Sequence, residues 1–367
     1  MSTTVAWAKR GAKIYSLLMA IQSLTALQSQ AADLAYRLDL GAGYTDNIAL
    51  TSTGKRDETI ATAGLQVSLS QLSRRIDANL VGDLAYYDYL RNTYSSEVVG
   101  SFTGGARLAI VPERFVWIFQ DNFGQGVRDI FAAVSPNNRE NINYFTTGPE
   151  FTSRLGGELW ARLSAQYSKV SYEVSPFDSD RYSGSLGVFR DLSSASTVSA
   201  NVRASRVEYD SNLGGANFNQ DEAFLQYFTH GGRTTATLDL GYTELKQADT
   251  KSKGLLTRLN VTRQISAATK LSLNLGREFS NQGSAFQFQQ GLGGVNLQTQ
   301  SVTQTTDPFT SKYADVGLDF QRGRTGLGAS IGYFDESYSR QTLFDRSRIN
   351  LICHRTRLVA FDFIRKF

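Results

Sequence analysis

In a chain of 367 residues, two histidines and one cysteine are the only imidazole and thiol groups on offer. A histidine working as a general base needs a serine, a water or a carboxylate within hydrogen-bond reach on a rigid frame. His230 stands next to Gly231-Gly232, a turn signal, and His354 lies in a short basic tail beside Cys353. Both are therefore expected to be solvated histidines of a turn and a terminus. A lone cysteine excludes an intramolecular disulfide framework and a thiolate metal cluster. The sequence also lacks H-E-x-x-H, paired-cysteine spacings and the G-x-x-x-x-G-K run of a phosphate loop. No cofactor, metal or catalytic residue is expected, and the chain reads as a non-enzyme.

The richer chemistry lies in charged groups that recur at alternate positions. Arg37, Asp39, Asp77, Asp83, Arg107, Glu150, Arg154, Arg162, Arg203, Asp239, Arg258, Glu278 and Asp319 fall on the polar parity of an apolar and polar alternation. Charges of both signs on one face can satisfy one another across a hydrated interior, or line a path for polar solutes. A ring of a single sign would argue for ion selectivity, and none is evident.

Such a face needs strands to carry it. Hydrophobic residues make up 41% and charged residues 20%, with 32 Gly, 17 Tyr and 22 Phe but only 5 Pro, a strand-rich composition without a linker. In residues 36–44, Tyr36, Leu38, Leu40, Ala42 and Tyr44 share one parity while Arg37 and Asp39 share the other with two glycines. The pattern returns at Leu65, Val67 and Leu69, at Leu159 to Ala165, at Ala236 to Leu240 and at Leu271 to Leu275. It predicts strands near residues 35–46, 58–70, 76–89, 97–111, 114–123, 143–155, 158–171 and 181–191. Further strands follow near 197–209, 220–230, 233–245, 254–264, 270–280, 309–320, 326–334 and after 346.

The connections between them alternate. Long polar ones fall near residues 47–57, 90–96, 124–142, 172–180, 210–219, 246–253, 281–308 and 335–345, and tight ones include Pro112-Glu113, Gly156-Gly157 and Gly231-Gly232. A transmembrane antiparallel up-and-down β-barrel of about 16 strands needs this asymmetry, and a soluble sandwich does not. Tyr44, Tyr86, Tyr167, Tyr242 and Tyr333 close upward strands in one phase on the apolar parity, where an aromatic girdle at the outer interface belongs. A spacing of about 42 residues between hairpins also marks propeller blades, but a blade fits four short strands into that length and here there are two long ones.

Residues 1–31 read as a secretory signal, with Lys9, Arg10 and Lys13 ahead of an apolar run and Ser29-Gln30-Ala31 as a small-x-small cleavage site. The barrel then occupies residues 32–367, in the bacterial outer membrane, with outer-membrane lipid as its surroundings. Without the signal the formal charge of +4 falls to +1, and residues 32–345 stand at −4, which argues against a nucleic-acid partner. Residues 346–367 bring six basic groups against one acid. Val359, Phe361, Phe363 and Phe367 share one parity there, so the segment reads either as a last strand or as a truncated or frameshifted end.

The segment Gly41 to Ile48, with Asn138 to Asn141, Thr147 to Phe151 and Asp307-Pro308-Phe309, resembles the type 2 β-barrel porins associated with exopolysaccharide and PEP-CTERM sorting systems. The resemblance covers about residues 33–346. It implies an outer-membrane barrel encoded near polysaccharide export machinery and assigns no catalytic residue. Three functions stay open: a porin-like pore linked to exopolysaccharide export, a structural or adhesive barrel with a plugged lumen, and a barrel enzyme, the last starved of a placed histidine. Asn281 to Thr306 carries no charge and is rich in glutamine, with Phe286 and Phe288. Such a surface suits a neutral polysaccharide, or a disordered loop, and is expected outside the cell or folded into the bore.

Overall fold

The computed structural model describes residues 32–129, 135–210, 217–291, 305–323 and 325–357. The expected signal, residues 1–31, lies outside them, as do Val359, Phe361, Phe363 and Phe367. Among the described residues the strands are β1 (Ala32–Thr45), β2 (Glu58–Leu72), β3 (Ile76–Tyr89), β4 (Glu97–Val111), β5 (Phe115–Val127), β6 (Arg139–Gly156), β7 (Leu159–Tyr172) and β8 (Ser179–Ser193). The second half holds β9 (Ser196–Tyr209), β10 (Phe218–His230), β11 (Thr234–Gln247), β12 (Thr250–Ser266), β13 (Thr269–Ser280), β14 (Phe309–Arg322), β15 (Thr325–Tyr338) and β16 (Arg346–Arg357). They form one sixteen-stranded sheet in chain order, each strand antiparallel to its sequence neighbours. The sheet curls so that side chains from β5 and from β16 line one cavity on its inner face. Pairing between β1 and β16 is not present among the described residues.

Register explains why the alternation in sequence becomes two surfaces. Leu163 lies opposite Leu186, Leu186 opposite Val202, Val202 opposite Ala223 and Ala223 opposite Tyr242, one continuous outer row. One residue along, Ser185, Arg203 and Glu222 form the matching inner row. A slip of one residue would exchange the two faces, so the pattern holds the register. The outer row is apolar yet exposed: Leu40 is 88% exposed, Leu225 62% and Ile331 54%. In water that surface would be a liability. Against hydrocarbon it is the stable arrangement, because each strand from β2 to β15 is hydrogen-bonded to a neighbour on both sides.

Along each strand the polarity then inverts. Tyr44, Tyr86, Tyr167, Tyr242 and Tyr333 stand on the outer face, and two residues beyond each comes a charge: Asp46, Asp88, Lys169, Glu244 and Asp335. Above this row the outer face carries ion pairs, among them Lys169–Asp180 at 3.8 Å, Arg206–Glu208 at 2.6 Å and Lys312–Asp335 at 2.9 Å. Glu244 is shared by Lys246, Lys251 and Lys253 at 3.0 to 3.2 Å. The inner face above the row is the buried one, with Tyr89, Val99, Ile142, Val170, Val207, Leu245, Leu256 and Tyr338 all nearly inaccessible.

The expected strands and the described ones coincide closely, with differences mainly at the outer ends, where β15 for one runs on to Tyr338 rather than stopping near 334. Residues 246–253 are not a long loop; β11 and β12 meet in a two-residue turn, Ala248-Asp249, with Ala248 at φ 48°. The lysines there look like loop in sequence, but they point outward above the bilayer, where charge is compatible with a strand. For the same reason β6 begins at Arg139 rather than near 143 and β5 runs on to Val127. Part of the longest connection is helical. At the opposite end of the strands the Gly156-Gly157 turn works because both residues take positive φ, 143° and 54°, which a side chain would resist. The segment after 346 pairs with β15 over twelve residues, Arg346 to Arg357.

Candidate functional site

The chain leaves the wall at the outer end of β13. β12 starts at Thr250 but pairs with β13 only from Thr257, opposite Arg277. Freed of that neighbour, the end of β13 turns inward. Phe279, on the outward parity of Leu273 and Leu275, packs instead with Val207, Phe218 and Leu245, and its carbonyl accepts Gln220 Nε2 at 3.3 Å. A helix follows, α1 (Gln282–Gly291). Asn281 caps it, its Oδ1 accepting the Ser284 N–H at 3.1 Å.

Helix α1 docks on the far side of the bore. Phe286 is fully buried among Ile142, Tyr144, Val170 and Tyr172, with Ala285 and Phe177 at the edge. Gly283 sits so close to the wall that a Cβ there would come within 2.8 Å of Val170. Ser284 Oγ accepts Arg181 Nη1 at 2.6 Å. A segment that starts from β13 thus rests on β6, β7 and β8, seven and fewer places away in the sheet order, and crosses the opening near the outer strand ends.

Against α1 the inner wall lines a half-open cavity of about 500 Å³. Arg181, Arg203, Arg258 and Arg348 line it with Glu222, Glu278 and Glu336, among serine, glutamine and asparagine side chains. Arg258 is the hub: it reaches Glu278 at 2.6 Å, Glu222 at 2.9 Å and Asp239 at 3.7 Å. Glu222 also meets Arg203 at 3.6 Å, and Glu336 meets Arg346 at 2.8 Å and Arg348 at 3.3 Å. The Tyr313 hydroxyl donates to Glu278 at 3.3 Å.

The thirteen charged residues singled out in the sequence all take the inner parity, but the structure gathers only some of them. Arg203, Asp239, Arg258 and Glu278 belong to the network around the cavity. Arg107 and Arg162 share Glu150, at 2.8 and 3.7 Å, in a second cluster. Asp83 accepts Gln66 Nε2 at 3.1 Å, and Arg37 and Asp39 pair with each other at 3.0 Å. Asp77 lies opposite Arg107, Arg154 opposite Trp160, and Asp319 opposite Lys270. Sequence reasoning missed Arg181, Glu222, Glu336 and Arg348. Glu222 could have been found by parity with Gln226, whereas Glu336 was read into a loop and Arg348 into the anomalous tail. His230 bonds Thr235 at 2.9 Å beside its turn, apart from the cavity. Among the described residues no three His, Cys, Asp or Glu side chains are grouped to hold a metal.

Two of the motifs behind the family resemblance, Asn138 to Asn141 and Asp307-Pro308-Phe309, tie loops together. Asn138 bonds the backbone of Asp129 twice, at 2.8 Å each way. Glu140 accepts the N–H groups of Val174 and Ser175, and Asp307 those of Arg340 and Gln341. Glu58, at the outer end of β2, does the same for Arg91, Thr93 and Thr59. Burial alone would raise the Glu58 pKa, but these N–H donors and the Thr93 hydroxyl hold it below the ordinary carboxylate value.

No family model matches the chain, and no curated protein matches it in sequence. Solved structures similar to it include the FrpB iron transporter from Neisseria meningitidis, at 10% identity and a TM-score of 0.39, covering 86% of this chain. The chain spans 56% of the length of that transporter. Pseudomonas aeruginosa OccK2, solved in complex with glucuronate, matches at 11% identity and a TM-score of 0.38, covering 90% of this chain and 98% of its own. A bacterial polysaccharide outer membrane secretin matches at 10% identity and a TM-score of 0.36, covering 89% and 98%. At these scores the fold rests on the strand order, the register and the exposed apolar band. This chain is an all-β protein of sixteen up-and-down antiparallel strands.

Proposed function

We propose that the chain is a porin-like channel for small polar solutes, narrowed from within by α1 and working beside exopolysaccharide export or a PEP-CTERM sorting system. The observation that carries the channel reading is the docking of α1 across a polar, charge-paired interior. A helix laid over a hydrated cavity leaves a restricted path and sets its width. The thirteen inner charges act as a water-compatible wall. The five tyrosines sit at the outer interface and the band beneath them meets outer-membrane lipid. The exopolysaccharide link is supported by the resemblance of the loop-tying motifs. Neutral polysaccharide or export machinery would meet the glutamine-rich segment 281–306, of which residues 292–304 lie outside the described residues. The reading is a non-catalytic one.

One observation favours a second reading, a structural or adhesive barrel with a plugged lumen. Two apolar clusters, around Phe286 and around Phe279, fill the inner face at the outer end and leave little room there. Conductance in planar bilayers separates the two. The native chain is expected to conduct, and deleting residues 284–304 is expected to raise the conductance while the protein keeps its heat-dependent gel mobility. A silent native chain whose deletion mutant is equally silent, with glycan output unchanged, would sink the channel.

A further inference from the structure

Every carboxylate around the cavity already has its cation. Glu222, Glu278 and Asp239 converge on Arg258, Glu222 adds Arg203, and Glu336 holds Arg346 and Arg348. That is four acids against four arginines, with Arg181 still to be counted. Arg181, half-buried on the inner face of β8, bonds only neutral oxygens: Ser284 Oγ at 2.6 Å, Ser205 Oγ at 3.2 Å and Gln220 Oε1 at 3.3 Å. Among the described residues no carboxylate comes within ion-pair distance of it. Gln220 acts as a spacer, passing its own amide to Glu222 at 2.9 Å. The guanidinium is therefore a charge held at the mouth of the cavity by hydroxyl and amide dipoles, with N–H donors to spare.

We propose that Arg181 is the anchor of a subsite for a small hydroxylated carboxylate, seated between α1 and the wall. The carboxylate would take the free guanidinium N–H groups, a charge-assisted contact in a confined space. Its hydroxyls would exchange hydrogen bonds with Ser183, with the Thr146 and Ser168 hydroxyls, which stand 2.9 Å apart, and with the Tyr313 hydroxyl. The cavity volume of about 500 Å³ admits a molecule of sugar-acid size together with water. The same surplus charge makes the cavity itself favour anions over cations. The proposal names the solute class of the channel reading and rests on it for transport, though binding can be measured without a current.

The test uses the full chain in detergent, titrated calorimetrically with gluconate and with glucose, beside the variants Arg181→Gln and Arg181→Lys. Gluconate should bind the native protein about tenfold or more tightly than glucose, since a hydrogen-bonded charge is worth that much. Arg181→Gln should erase the difference and Arg181→Lys should keep part of it. In a salt gradient across a planar bilayer, the native reversal potential should lie on the anion side and move towards the cation side in Arg181→Gln. Equal gluconate affinity in the native chain and Arg181→Gln overturns the subsite. If Arg181→Gln fails to assemble, the native ratio decides, and a ratio near one overturns it. Gluconate binding without any conductance would remove the channel and leave the subsite standing.

Discussion

Below the tyrosine row the sheet wears its apolar side chains outside and its charges inside; above the row it does the reverse. The same backbone, register and strands serve both. What changes is the solvent on the outer face. In the lower region the outer side chains contribute little packing within the protein, and stability comes from the ladders that pair the backbone groups of β2 to β15 on both sides. The upper region is built like a water-soluble protein turned around an axis, with apolar side chains converging inward and ion pairs outside. Helix α1 belongs to that upper core, which explains how an uncharged segment finds a fixed place in a bore lined lower down by arginine and glutamate.

The comparison breaks most easily at Phe286. Its replacement by alanine empties the centre of the upper cluster, a loss of about 3 to 5 kcal/mol for a buried phenylalanine, and should release α1 from β6 and β7. Raised conductance with an intact barrel on a semi-native gel is the expected result, and native conductance would mean that α1 does not depend on this core. The lower region should fail differently. Leu240→Arg places charge in lipid at about 2 to 4 kcal/mol near the midplane, whereas Asp239→Asn only trims an inner network. Assembly yield should fall for the first and hold for the second, and equal yields would reverse the two faces.

A smaller effect is expected at the loop ties. The folded pKa of Glu58 lies below its unfolded value, so its contribution is fully present above the unfolded pKa and is lost as pH falls through the folded one. Protease cleavage near residues 90–96 should therefore rise in acid. Glu58→Gln should show that higher cleavage already at neutral pH, a loss of about 1 to 3 kcal/mol for unsatisfied donors. Identical pH profiles for the two proteins would show that the upper loops are held by packing alone.

Strand positions were legible because period-two alternation and register are local properties, readable from neighbours such as Leu238, Asp239 and Leu240. The outer ends were read too short at Lys251 and Arg139, since sequence marks polarity but not the depth at which polarity becomes permissible. Half of the cavity network was legible for the same reason that the strands were. Arg181 was not, because its importance lies in having neutral partners in place of a carboxylate, a fact about residues 24, 39 and 103 positions away in sequence. The helix was hidden by composition: the glutamines, glycines and serines of 281–306 have no helical stripe, and tertiary contact at Phe286 decides its form.

The docking of α1 also has a consequence in time. A ten-residue helix is too short to persist alone in water, so this one forms only where a wall already exists to receive Phe286. Its partners are distant along the chain, Arg181 standing 103 residues before Ser284, which makes the contact costly to close and slow to be rewarded. The docking of α1 is therefore expected to follow the pairing of β6, β7 and β8, the strands that receive it.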